Sequence, residues 1–145
     1  MKTTHRIVLE EKPQPKDINA VVQGLLEFNK LHTNGAVPEY MLVTVRDDQG
    51  ALLGGLFGAT YLDWLQVQAV WLPDDLRGHG YGTELMATAE REALRRGCTR
   101  VLLETLSFQA LPFYEKLGYQ VFSRLADFPV GGARYVLTKN LSGAV

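Results

Sequence analysis

The stretch Leu76-Arg77-Gly78-His79-Gly80-Tyr81-Gly82-Thr83 stands between the end of a strand-like run and a strongly amphipathic helical one. That position matters. The first turn of a helix leaves backbone N–H groups without partners and carries partial positive charge, so glycines there let a phosphate approach the amides closely. Arg77 adds a full charge at the mouth of this anion cradle. A simple tight loop is the plain alternative. A dinucleotide-binding loop fits less well, although Glu104 lies roughly twenty residues on, because the last glycine spacing is wrong and the chain upstream reads as an antiparallel meander. No Gly-Lys-Ser/Thr follows, which removes a Walker loop.

Working outward from the loop, Gly80 to Arg96 reads as a helix with Leu85, Met86, Ala89 and Ala93 on one face and Gly97 placed to cap it. Asp63 to Leu72 before it and Thr99 to Thr105 after it read as strands. A strand, a helix and a strand in that order call for a right-handed crossover, so these two strands should be parallel. Farther upstream, Tyr40 to Val45 and Ala51 to Tyr61 form an antiparallel pair about an Asp47–Gly50 turn. Arg6 to Glu10 reads as a short strand, and Asp17 as the N-cap of a helix carrying Ile18, Val21, Val22, Leu25 and Leu26 at helical spacing. Downstream, a short helix from about Phe108 to Leu117 leads into a closing hairpin, Tyr119 to Leu125 and Arg134 to Asn140. The expected architecture is α/β of the α+β kind, a mixed and mostly antiparallel sheet of about seven strands in one domain spanning residues 1–145.

Composition narrows the function. Apolar residues make up 46% and charged residues 21%, as in an ordinary globule, and 15 Lys and Arg against 16 Asp and Glu give a net charge of -1. A nucleic-acid partner is not expected without a basic footprint. No run reaches the eighteen apolar residues of a membrane span, and no secretory signal is visible, so the expected setting is cytoplasmic and off the membrane. One cysteine, Cys98, forms no internal disulfide. His5, His32 and His79 have no ligand-like spacing, and no metal site is expected.

Two segments together resemble one family. Arg77-Gly78-His79-Gly80-Tyr81-Gly82 is similar to the Arg/Gln-x-x-Gly-x-Gly/Ala segment of the GNAT N-acetyltransferases, and Ala110-Leu111-Pro112-Phe113-Tyr114-Glu115-Lys116-Leu117-Gly118-Tyr119 resembles that family's second signature. The resemblance covers nearly the whole chain. It implies helices on both faces of the sheet, a backbone cradle for the pyrophosphate of acetyl-CoA from Arg77 to Thr83, and pantetheine paired edge-on to the strand around Val70, Trp71 and Leu72. It also implies direct acetyl transfer to an amine. The family pattern has an asparagine where Ser107 precedes Ala110 here, which leaves the cofactor contact of that stretch open.

Acyl transfer from a thioester needs a neutral amine, a polarised carbonyl and a proton for the departing thiolate. Tyr114 matches the family tyrosine placed near the thioester sulfur, and a phenol of pKa ~10 suits a thiolate whose acid has pKa ~8.5. The resemblance assigns carbonyl polarisation to a backbone N–H near Leu72. For the base, Glu104, Asp63 or a water chain each serve. Cys98 follows a helix that spans ~25 Å from the glycine loop, so an acyl-cysteine route is not expected.

The family arrangement would wall the acceptor pocket with the first helix, the Lys30–Tyr40 loop, the Tyr61–Trp64 turn and the Asp127–Ala133 hairpin. Phe28, Tyr40, Tyr61, Trp64, Phe108 and Phe128 are the aromatics there. A small-molecule amine is favoured over a protein as acceptor. A CoA- or nucleotide-binding regulatory module without turnover is the alternative, and the closing hairpin offers edge strands through which a homodimer could form.

Overall fold

The computed structural model describes residues 2–143. The chain falls into two compact units, Met1–Val37 and Pro38–Val145. The first contains helix α1 (Pro15–Lys30), with Gln14 rather than Asp17 at its N-cap. Proline at the first helical position loses no hydrogen bond, because that N–H has no intrahelical partner in any case. Asp17 therefore sits inside the first turn, where its carboxylate faces the positive end of the helix. Arg6–Glu10 forms no strand. β propensity is realised only where a partner supplies a ladder, and the sheet has six strands instead of about seven.

All six belong to the second unit. They are β1 (Glu39–Arg46), β2 (Leu52–Tyr61), β3 (Trp64–Trp71), β4 (Arg100–Leu106), β5 (Gln120–Ala126) and β6 (Ala133–Asn140), joined by helices α2 (Tyr81–Arg95) and α3 (Leu111–Lys116). Their spatial order is β1-β2-β3-β4-β6-β5. β3 and β4 run parallel and every other neighbouring pair is antiparallel. The mixed sheet is therefore as the connections require. The β1–β2 turn is fixed by Asp47, whose Oδ1 accepts the N–H groups of Gln49 and Ala51, each at 2.9 Å.

Helix α2 buries Leu85, Met86, Ala89 and Ala93. They join Met41, Leu56, Leu65, Val101 and Leu137 from five strands in one apolar core. Arg96, just beyond α2, ties that end to the sheet by donating to the carbonyls of Glu39 (2.9 Å) and Tyr40 (3.2 Å) and to Thr60 Oγ1 (3.1 Å). The opposite, N-terminal end of α2 is thereby left to the glycine loop. Helix α3 is shorter than the Phe108–Leu117 expected of it, since Gln109 Oε1 accepts the Leu106 N–H at 2.7 Å and holds residues 107–110 as a turn. Pro112 in its first turn then sets the start.

Candidate active site

β3 and β4 are hydrogen-bonded only from Trp64↔Arg100 to Val67↔Leu103. Beyond that point they part. The cause lies on the other edge of β3, where Gly58 pairs with Val67 and Phe57 with Ala69, leaving Gln68 as a bulge. A Cβ at Gly58 would lie 2.6 Å from the Gln66 carbonyl oxygen, so this close approach depends on glycine. The bulge turns the end of β3 away from β4 and opens a cleft of about 650 Å³ between them. From Gln68 to Trp71, β3 pairs with no strand on the β4 side, leaving backbone groups there for a ligand to extend the sheet.

The glycine loop closes one end of the cleft. Gly78 and Gly80 both have left-handed backbone, with φ of 78° and 87°, a conformation that L side chains adopt at a cost. Gly80 is the N-cap of α2, and its carbonyl accepts the first helical bond, from Glu84 N–H at 3.1 Å. Among the described residues no hydrogen bond to a loop, turn or side-chain acceptor uses the N–H groups between Gly78 and Thr83. The start of α2 is thus left with donor N–H groups of the kind that an anion could take up. Arg77 lines the cleft, but its Nε donates to the Leu72 carbonyl (2.9 Å) and its Nη1 pairs with Asp74 (3.0 Å). It braces the loop against the end of β3 as well as bringing charge to it. Gly82 also lines the cleft, while Gly78, His79 and Gly80 on the loop and Tyr81 and Thr83 in the first turn of α2 lie outside its lining.

Tyr114 enters the same cleft from α3. The residue is 9% exposed, its ring packed against Phe113 and edge-on to Tyr119 with centroids 5.9 Å apart. Burial raises its pKa above the usual phenol value, because a phenolate there would lose its hydration. At neutral pH the phenol keeps its proton. Val70, Trp71 and Leu72 line the facing wall. Glu104 stands on β4 where the strands separate and pairs with Arg134, whose guanidinium also lies 4.7 Å from the Phe128 ring centre. Among the lining residues it is the one carboxylate.

The structure does not bring Asp63 to this place. Asp63 lies in the β2–β3 turn at φ 69°, before β3 begins, and the cleft opens on the last residues of that strand. Val67, the first β3 residue to line the cleft, is four residues past Asp63, which at ~3.3 Å per residue puts Asp63 about 13 Å before the cleft begins. The Tyr61–Trp64 turn lies at that remote end too, so the pocket walls expected there are corrected by the strand direction. Phe108 does line the cleft. Cys98 is 4% exposed, beyond the C-terminal end of α2, and desolvation raises its thiol pKa. Gln68, Gln109 and Phe113 line the cleft without having stood out as site residues in the sequence. Of these only Phe113 had a local signal, in the second signature.

The sequence model of the acetyltransferase (GNAT) family matches residues 4–119. The chain belongs to this family and is an N-acetyltransferase, in a family that uses acetyl-CoA. It is 31% identical over 124 residues to the acetyltransferase Atu2258 of Agrobacterium fabrum, covering 86% of this chain and 90% of that protein. It is 38% identical over 95 residues to the blasticidin-S acetyltransferase of Streptomyces morookaense, covering 65% and 70% respectively. A crystal structure from Agrobacterium tumefaciens, described as an acetyltransferase, superimposes with a TM-score of 0.88 at 29% identity over 94% of this chain and 99% of that one. Among the described residues no helix is long and apolar enough to cross a membrane, and no His, Cys, Asp or Glu group could hold a metal ion.

Proposed function

We propose that the protein moves an acetyl group from acetyl-CoA directly to a primary amine of a small molecule, with Tyr114 as general acid. One observation carries the reading: a single cleft is lined by the open edge of β3, by a buried, protonated phenol and, through Arg77 and Gly82, by the glycine loop, whose amides are free. The residues fit the co-substrate. N–H groups from Gly78 to Thr83 suit a pyrophosphate, and the β3 edge from Gln68 to Leu72 suits the amides of a pantetheine arm. Bound there, acetyl-CoA supplies an acyl group activated as a thioester.

The chain's own groups then have separable tasks. A backbone N–H on the freed stretch of β3 donates to the acyl oxygen, where negative charge grows as the amine attacks. The N–C bond forms, the C–S bond breaks, and the electron pair goes to sulfur. Tyr114 Oη delivers its proton to that sulfur, and the ammonium proton of the acceptor passes to Glu104 or to water. The phenolate left at Tyr114 is reprotonated from solvent. Cys98 takes no part, because its buried thiol lies past the far end of a fifteen-residue helix, ~22 Å long. The curated relative that acts on blasticidin S favours a small, amine-bearing acceptor over a protein.

A screen of amines with acetyl-CoA, read as free thiol, tests this function. Thiol release with at least one small primary amine, together with a raised melting temperature in acetyl-CoA, is the expected result. Stabilisation without release from any amine would favour a binding module instead.

A further inference from the structure

Helix α3 has six residues, too few to hold its own shape, yet it carries the phenol that must meet a sulfur atom within hydrogen-bond reach. Something outside it fixes its position. Tyr119, five residues past Tyr114 in the chain, donates its backbone N–H to the Tyr114 carbonyl at 3.1 Å and sets its ring against the Tyr114 ring. Tyr119 is 2% exposed, and its hydroxyl donates at 2.8 Å to Oε2 of Glu90, a residue outside the cleft lining. The other carboxylate oxygen of Glu90 accepts from Lys139 Nζ at 2.9 Å. Lys139 also lies over the Tyr119 ring, 5.4 Å from its centre, and its chain runs past Gly118, where a Cβ would be 3.5 Å from Lys139 Cε. Gly118 itself has φ of 95°. Three elements meet at one carboxylate: α2, which begins at the glycine loop, the turn after α3, and β6.

From this we infer that Glu90, Tyr119 and Lys139 form a positioning unit that fixes the Tyr114 phenol in the cleft and registers it against α2. The inference rests on the reading of Tyr114 as the acid. Glu90 and Lys139 are not among the residues that line the cleft, and Glu90 bonds to Tyr119 and Lys139, so the pair acts through Tyr119. An ion pair alone would satisfy two partly buried charges. What adds direction is the third bond, from a hydroxyl on the residue that caps α3 and backs the phenol. A hydrogen-bonded hydroxyl locks the Tyr119 ring, and the locked ring limits where the Tyr114 ring can sit.

A double-mutant cycle on the full-length protein tests the inference. Tyr119→Phe keeps the ring and removes only the bond to Glu90. It is expected to lower kcat by about fivefold while the KM for acetyl-CoA stays within about twofold. Glu90→Gln keeps an acceptor for the hydroxyl but loses the charge for Lys139, and is expected to fall between wild type and Tyr119→Phe. In a Tyr114→Phe background, Tyr119→Phe is expected to cost nothing further, because the residue acts only through the phenol. Equal losses in both backgrounds, or an unchanged kcat in the single variant, would overturn the positioning role. If Tyr114→Phe alone leaves kcat intact, the general-acid reading fails. The positioning claim is then read from the NMR signal of a ring-labelled Tyr114, which should shift or broaden in Tyr119→Phe. An unaltered signal rejects it.

Discussion

A Cβ placed on Gly82 would lie 3.1 Å from Cζ of Phe113, so the second residue of α2 and the residue before Tyr114 are in contact with no room between them. This contact joins the glycine loop to the helix that bears the proposed acid. Gly82→Val would push the Phe113 ring outward and crowd the loop amides at once. It is expected to raise the Kd for CoA by about tenfold or more, and to lower kcat for whatever cofactor still binds. Isothermal calorimetry with CoA checks the first effect, and saturating kinetics the second. Gly80→Val combines the blocked amides with a strained left-handed N-cap and should weaken binding at least as much. Unchanged affinity in both variants removes the cradle.

Tyr114→Phe keeps the packing against Phe113 and Tyr119 and deletes the proton donor. A drop in kcat of about tenfold or more with little change in CoA affinity is expected, as for a group that acts only in the transition state. Steady-state kinetics over a range of both substrates separates the two quantities.

The tyrosines make stability depend on alkaline pH. Burial raises the pKa of both Tyr114 and Tyr119, and Glu90 raises that of Tyr119 further. The folded state then holds protons that the unfolded chain gives up near pH ~10, so unfolded binds fewer protons than folded and stability falls as pH rises beyond that value. Below it the contribution is complete. Urea denaturation between pH 8 and pH 11 should show a falling midpoint, less steep in Tyr119→Phe, and a flat profile would contradict the burial of these phenols.

Glu104→Gln tests the proton acceptor. If Glu104 takes the ammonium proton, the variant should lose about tenfold in kcat/KM for the amine below the amine's own pKa and recover much of it above. A water chain in that role predicts no such pH-dependent loss.

The core makes its own demand. Leu65 on β3 is fully buried in the cluster that α2 packs against. Leu65→Ala is expected to cost about 2–5 kcal/mol from lost burial and the cavity left behind. Thermal or denaturant unfolding measures it directly.

Much of this was legible along the chain. The glycine loop, the amphipathic Gly80–Arg96 run and the Tyr114 signature are local patterns, and a helix N-terminus or a period of 3.6 is written in consecutive residues. The parallel pairing of β3 and β4 followed from one intervening helix. Tertiary structure alone decided that β3 and β4 part after Val67 and Leu103, because that depends on a bulge opposite Gly58 on another strand. It also separated Glu104 from Asp63, two acidic residues indistinguishable by type, through the direction in which β3 runs. Arg6–Glu10 has the side chains of a strand, but a strand exists only with a hydrogen-bonded neighbour. The bonds from Glu90 to Tyr119 and Lys139 join residues 29 and 49 positions apart. No periodicity encodes such a meeting, since it arises only when a helix, a turn and a strand are packed around the same carboxylate.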